Sequence, residues 1–224
     1  MLNYKKLKLT LLDDSTLENI YIDLLANKWQ FMVLDINGKL KVLTKEKSLF
    51  DIVNEDSFVS LAKEDIYYRT IITNKKEELD MADLLLYRKY ISRYASQIEK
   101  VVYGGKYIFG SIAVKTSNGI ITTIRGKRDL KDFTFVNGVD HKEHTVKVST
   151  NKATLNVPLY DYLFNKIKRA KVIVHINSVF DGNLPTLEYS FPGTQKDSIR
   201  DIDSSFNIRH HGIVYLFDEN ENLI

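Results

Sequence analysis

A helical period runs unbroken over residues 79–102, and strand-like runs dominate the chain after it. Leu84, Tyr87, Arg88, Ile91, Tyr94, Ala95, Ile98 and Val102 recur at spacings of three and four, the interval that stacks side chains on one face of a helix. The tyrosines in this stripe read as core and rim packing, not as a platform for stacking bases. Residues 107–115 and 120–124 then flank Ser117-Asn118-Gly119, a hairpin turn signal because Asn and Gly tolerate positive φ. Residues 133–136, 144–148, 171–175 and 213–217 read as further strands. Residues 158–168 read as a second helix with Pro158 in its first turn. The class this predicts is α/β (α+β).

The first 75 residues carry a different rhythm. Residues 6–11 alternate with period two, and Asp14-Ser15-Thr16 offers N-cap oxygens to a helix whose apolar face is Leu17, Ile20, Tyr21, Leu24 and Leu25. The apolar run 31–34, the turn Asn37-Gly38 and the return run 41–44 form a hairpin, and 48–53 reads as a closing helix. This β-α-β-β-α order resembles one half of a CBS module. The acidic residue that such modules use for ribose falls on Lys47 here. Residues 58–61 and 67–73 read as short strands, and the charged run Asn74–Glu78 as a solvated linker. The expected domains are therefore 1–75 and 79–224.

Composition narrows the function classes. Hydrophobic residues make up 44% of the 224, enough for a sizeable core. A net charge of +3 is too small to argue for a nucleic-acid or anionic-membrane partner. Cysteine is absent, which excludes disulfides, thiolate metal sites and thiol nucleophiles and fits a reducing compartment. No run approaches the roughly 18 apolar residues of a spanning helix. The N-terminus lacks an apolar core followed by a cleavage site. A cytoplasmic protein is the expectation.

Six local motifs in the second half come in a fixed order. They are Gly110-Ser111-Ile112-Ala113-Val114, then Ile121 to Lys127 with Arg125-Gly126, then Lys152 to Tyr160. Val172-Ile173-Val174-His175-Ile176-Asn177, Pro192-Gly193-Thr194 and His210-His211-Gly212 complete the series. The series resembles the class II aldolase/adducin family over about residues 84–224. That resemblance implies a three-layer αβα domain around a mostly antiparallel sheet, and homo-oligomeric assembly. It also implies zinc or another divalent ion held by three imidazoles, with a small phosphorylated ligand. The ion polarises the substrate's oxygens while a carboxylate moves the proton.

Residue by residue, the resemblance puts metal ligands at His175 and His211, with Asn177 where a third imidazole is expected. The acid/base Glu falls on Asn156, and Asn does not titrate near neutral pH. The phosphate-binding turns fall on Gly110-Ser111 and Arg125-Gly126, where Arg125 adds an anion-binding charge. Tyr160, Asp161 and Glu188 are candidate substitute bases. Asn177, Asp181 and Glu188 are candidate extra ligands. The function expected is a divergent aldolase-like protein that serves as a ligand-binding or assembly module. The alternative is a metal-dependent aldolase or epimerase acting on a small sugar phosphate. His141 and His144, placed on a strand, would point to opposite faces and form no ligand pair.

Overall fold

The computed structural model describes residues 2–45, 47–65, 68–74, 78–99, 102–103, 107–125, 129, 132–177, 179–188, 199–209 and 211–224. The chain divides into two compact units, one built on 1–66 with the short 103–105 segment, the other on 67–102 and 106–224.

The smaller unit runs β1 (Tyr4–Leu9), α1 (Asp14–Ala26), β2 (Phe31–Ile36), β3 (Lys39–Thr44), β4 (Leu49–Ile52) and α2 (Glu55–Asp65). Its sheet has the order β1-β2-β3-β4, with β1 parallel to β2 and the remaining pairs antiparallel. Asp13 caps α1 by accepting from the Thr16 amide at 2.7 Å, and Ile20, Tyr21 and Leu24 bury its inner face. Asn37 and Gly38 both have positive φ, at 52° and 84°, as the two-residue turn between β2 and β3 demands.

Two expectations fail here for identifiable reasons. The closing helix expected at 48–53 is instead strand β4, with Phe50 opposite Val42. Lys47, at φ 63°, tightens the turn, and the Thr44 amide donates to the Ser48 carbonyl at 2.9 Å. The strand expected at 58–61 lies inside helix α2. The missed signal was Asn54, whose side-chain oxygen accepts from the Ser57 amide, followed by Glu55 and Asp56 in the first turn. The order is therefore β-α-β-β-β-α.

After α2 the chain continues with β5 (Arg69–Ile72), α3 (Met81–Ile98), β6 (Val102–Tyr103), β7 (Tyr107–Ile108), β8 (Ser111–Lys115), β9 (Ile120–Thr123) and β10 (Phe133–Asp140). It continues with β11 (Thr145–Val148), α4 (Val157–Lys166), β12 (Val172–Asn177), β13 (Thr186–Leu187), β14 (Phe206–Ile208) and β15 (Gly212–Phe217). Among the described residues, nine strands form one sheet in the order β13-β14-β15-β12-β8-β9-β10-β11-β5. All neighbours are antiparallel except β13 with β14 and β11 with β5.

Alternation along the strands sorts the residues into two cores. Ile112, Val114, Val172, Val174, Ile176 and Ile213 face α3, where they meet Tyr87, Tyr90, Ile91, Tyr94 and Ile98. Ala113, Ile173, Val214 and Leu216 face α4, where they meet Tyr160, Leu163 and Phe164. Each fully buried large side chain contributes about 2 kcal/mol. The result is a mixed α/β unit in three layers, helix on sheet on helix. Among the described residues, no helix is long and apolar enough to cross a membrane.

Candidate functional site

The pleat decides where the site lies. Counting from Ile173 by twos puts His175 and Asn177 on the α4 side of β12. In register, His175 lies opposite Ser111 of β8 and Val214 of β15, and Asn177 opposite Gly212. His211 immediately precedes β15, and its ring stacks on that of His175 with centroids 4.7 Å apart and planes 24° from parallel.

Two glycines let the backbones close around this point. Gly110 has φ +85°, and a Cβ there would come within 2.7 Å of the His175 carbonyl oxygen. A Cβ on Gly212 would come within 2.1 Å of the Ile176 carbonyl. Gly110 thus serves a close strand contact.

A hydroxyl network covers the cluster from α4. Ser111 Oγ and Tyr160 Oη are 2.5 Å apart, and Thr154 Oγ1 donates to Ser111 Oγ at 3.3 Å. Asn156, the N-cap of α4, makes no side-chain capping bond, and its backbone amide donates to Thr154 Oγ1 at 3.4 Å. Ser111, Asn156, Tyr160, His175, Asn177 and His211 are all buried. Arg125 directs its Nε to the Ala153 carbonyl at 3.2 Å. Gly126, His210 and the 192–194 motif lie outside the described residues.

Burial sets the protonation state. It pushes the His175 imidazole down to about 4, against smaller opposing contributions from Asn177 and the Ile213 backbone. His211 is driven well below its ordinary value by burial and then by the neighbouring His175. Both rings are neutral at physiological pH. Among the described residues, neither His175 nitrogen has a hydrogen-bond partner of ordinary geometry.

Two neutral imidazoles side by side, one with unsatisfied nitrogens, have the chemistry of metal ligands. The set does not reach the donors of a catalytic zinc. Asn177 presents an amide, and no third His, Cys, Asp or Glu joins the pair among the described residues. Asp181 turns its carboxylate to the Asn183 amide, and Glu188 is ion-paired with Arg209 at 2.7 Å on the surface. Asp161 bonds to His141 instead. Sequence reasoning missed Thr154, although it lies inside a quoted motif.

No protein-family model matches the chain, and no curated protein matches it. Solved structures are similar. YgbL from Escherichia coli, a candidate aldolase/epimerase/decarboxylase, shows 16% identity over 62% of this chain and 82% of that one, with a TM-score of 0.46. An L-fuculose 1-phosphate aldolase shows 10% identity over 62% and 76%, with a TM-score of 0.44. The L-fuculose-1-phosphate aldolase from Thermus thermophilus shows 13% over 63% and 82%, with a TM-score of 0.41.

Proposed function

We propose that the larger unit is an aldolase-type scaffold that has lost metal-dependent lyase chemistry and serves as a ligand-binding or assembly module. The observation that carries this reading is Asn156. The residue at the place of the proton carrier is a buried amide, and an amide moves no proton near neutral pH. The hydroxyls around it are spent on one another, with Ser111 on Tyr160 and Thr154 on Ser111. A small phosphorylated ligand and a homo-oligomer belong to the same reading, with 79–224 as the ligand-binding domain.

The N-terminal domain, 1–75, is part of the proposal as a CBS-like half-module that does not hold ribose in the usual way. Lys47 stands in the acidic position, and burial lowers its ammonium pKa against the opposing pull of Glu18 and Asp14. A rise in melting temperature with millimolar adenosine nucleotides would support the half-module reading, and no shift would argue against it.

A second reading, a metal-dependent aldolase or epimerase acting on a sugar phosphate, is favoured by the unsatisfied nitrogens of His175 beside His211. One experiment separates the two. Protein purified without added metal is analysed for zinc, iron, cobalt and manganese, and its melting temperature is measured with and without zinc. The first reading expects less than stoichiometric metal and no shift. A stoichiometric ion that is lost in His175→Ala, or a zinc-dependent rise in melting temperature, overturns it, because a ligand that binds only the folded state stabilises that state.

A further inference from the structure

The pair set aside on sequence grounds, His141 and His144, does not lie on a strand. Residues 141–144 form a four-residue turn between β10 and β11, and both rings pack on Tyr68, with centroids 5.7 and 5.1 Å from it. From α4, Asp161 reaches the His141 ring. His141 Nε2 lies 2.9 Å from Asp161 Oδ2, and Tyr68 Oη lies 2.7 Å from His141 Nδ1.

The chemistry of the partners fixes the direction of this chain. An ionised carboxylate only accepts, so Nε2 carries the hydrogen and donates to Asp161. In the neutral imidazole Nδ1 then has a lone pair, and the Tyr68 hydroxyl is its donor. Asn165 Nδ2 donates to the same Asp161 oxygen at 3.1 Å and steadies the carboxylate. Beside the turn, Asp140 directs its carboxylate onto the backbone amides of Lys142 and Glu143, whose side chains are exposed. The histidine and aspartate side chains are 31% and 24% exposed, so a solute can reach them. Nucleophile, base and base-orienting group within hydrogen-bond reach are the signature of an activated nucleophile.

We propose that Asp161, His141 and Tyr68 form a nucleophilic relay in which Tyr68 Oη accepts acyl groups from activated esters. Tyr68 Oη bonds to the acyl carbon and the ester's C–O bond breaks. The phenolic proton passes to His141 Nδ1 and from there to the departing alcohol. Asp161 holds the tautomer and touches no substrate. This site is separate from the His175 cluster, so it stands or falls without the reading above.

The test treats the full chain with 4-nitrophenyl acetate and maps acetylated tyrosines by mass spectrometry across pH 6–9. Tyr68 should be acetylated about a hundredfold faster at pH 7.5 than the other twelve of the 13 tyrosines. Its rate should rise by much less than tenfold per pH unit across pH 7.5–9, because a neighbouring base takes the proton as the ester is attacked. An unassisted phenol, with a pKa of about 10, instead gains about tenfold per pH unit. His141→Gln should remove most of the advantage and Asp161→Asn part of it, while Tyr68→Phe removes the label. Labelling of Tyr68 no faster than its peers, or a rate climbing tenfold per pH unit, overturns the proposal. If His141→Gln does not fold, the pH profile of the unaltered protein decides alone.

Discussion

The larger unit holds two pairs of histidines, and they live in opposite physical worlds. His175 and His211 stack in the interior, on the α4 face of the sheet's central strands, with His175 driven down to about 4. His141 and His144 sit in a turn beside edge strand β5, half-exposed, with His141 hydrogen-bonded on both sides. The side chain is the same, and desolvation decides what it does. In the interior, where charge is costly, the imidazoles are neutral and depend on packing. At the edge, water lowers that cost, and a carboxylate and a phenol set the tautomer.

The largest test of this contrast changes two glycines. Gly212→Ala places a methyl 2.1 Å from the Ile176 carbonyl, and a backbone oxygen in a central strand has nowhere to go. A loss of about 3 kcal/mol or more is expected by denaturant titration. Gly138→Ala in β10, where the nearest atom is the flexible Lys147 Cδ at 3.9 Å, should stay within about 0.5 kcal/mol. Equal losses would show that the backbone around His175 is packed no tighter than that of β10.

Acid should act on the interior pair next. The folded-state pKa of His175 lies below its unfolded value of 6.5, so the unfolded chain binds the proton first. The stability this histidine contributes is complete above about pH 6.5 and is lost as pH falls towards 4. The full swing is up to about 3 kcal/mol, with His211 adding in the same direction. Melting curves with a chelator between pH 7.5 and 4.5 measure it. His175→Gln should flatten that slope, whereas His141→Gln should leave it in place.

How much of this was legible in the chain follows the same divide. The strand carrying His175 announces itself, because Val172 to Ile176 is a largely β-branched run buried on both faces, and composition alone marks such a run. The helix stripe was equally plain as far as Ile98, since its buried positions keep one period, but Val102, expected to end it, lies in β6. Where side chains are only half-buried, period fails. Residues 48–53 and 58–61 exchanged helix for strand because their outcome hung on one turn at Lys47 and one cap at Asn54. The edge histidines sit in the expected hairpin, but in its turn, where the strand argument for their facing does not apply. A spacing of three means opposite faces on a strand and one face in a turn, and no residue between Asp140 and Thr145 states which applies. Asp161 could be suspected as a base, but its partner lies 20 positions away.

The hydroxyls beside the interior pair are expected to matter less than its glycines. Tyr160→Phe removes the 2.5 Å contact to Ser111 and leaves that serine with Thr154 as a partner. The expected cost is about 1–2 kcal/mol, the range for a buried neutral hydrogen bond with one partner left behind. A near-zero cost would mean that water reaches Ser111.

Asp161→Asn should have the smallest effect on stability. The histidine and the carboxylate are both about a quarter to a third exposed, and pairs in that setting are worth about 0.5 kcal/mol. The amide oxygen can still accept from His141, so even that is partly recovered. A stability loss well above 1 kcal/mol would recast the Asp161–His141–Tyr68 chain as a structural clamp holding β5 to the sheet. A small loss with altered Tyr68 reactivity would separate the edge from the interior by role as well as by burial.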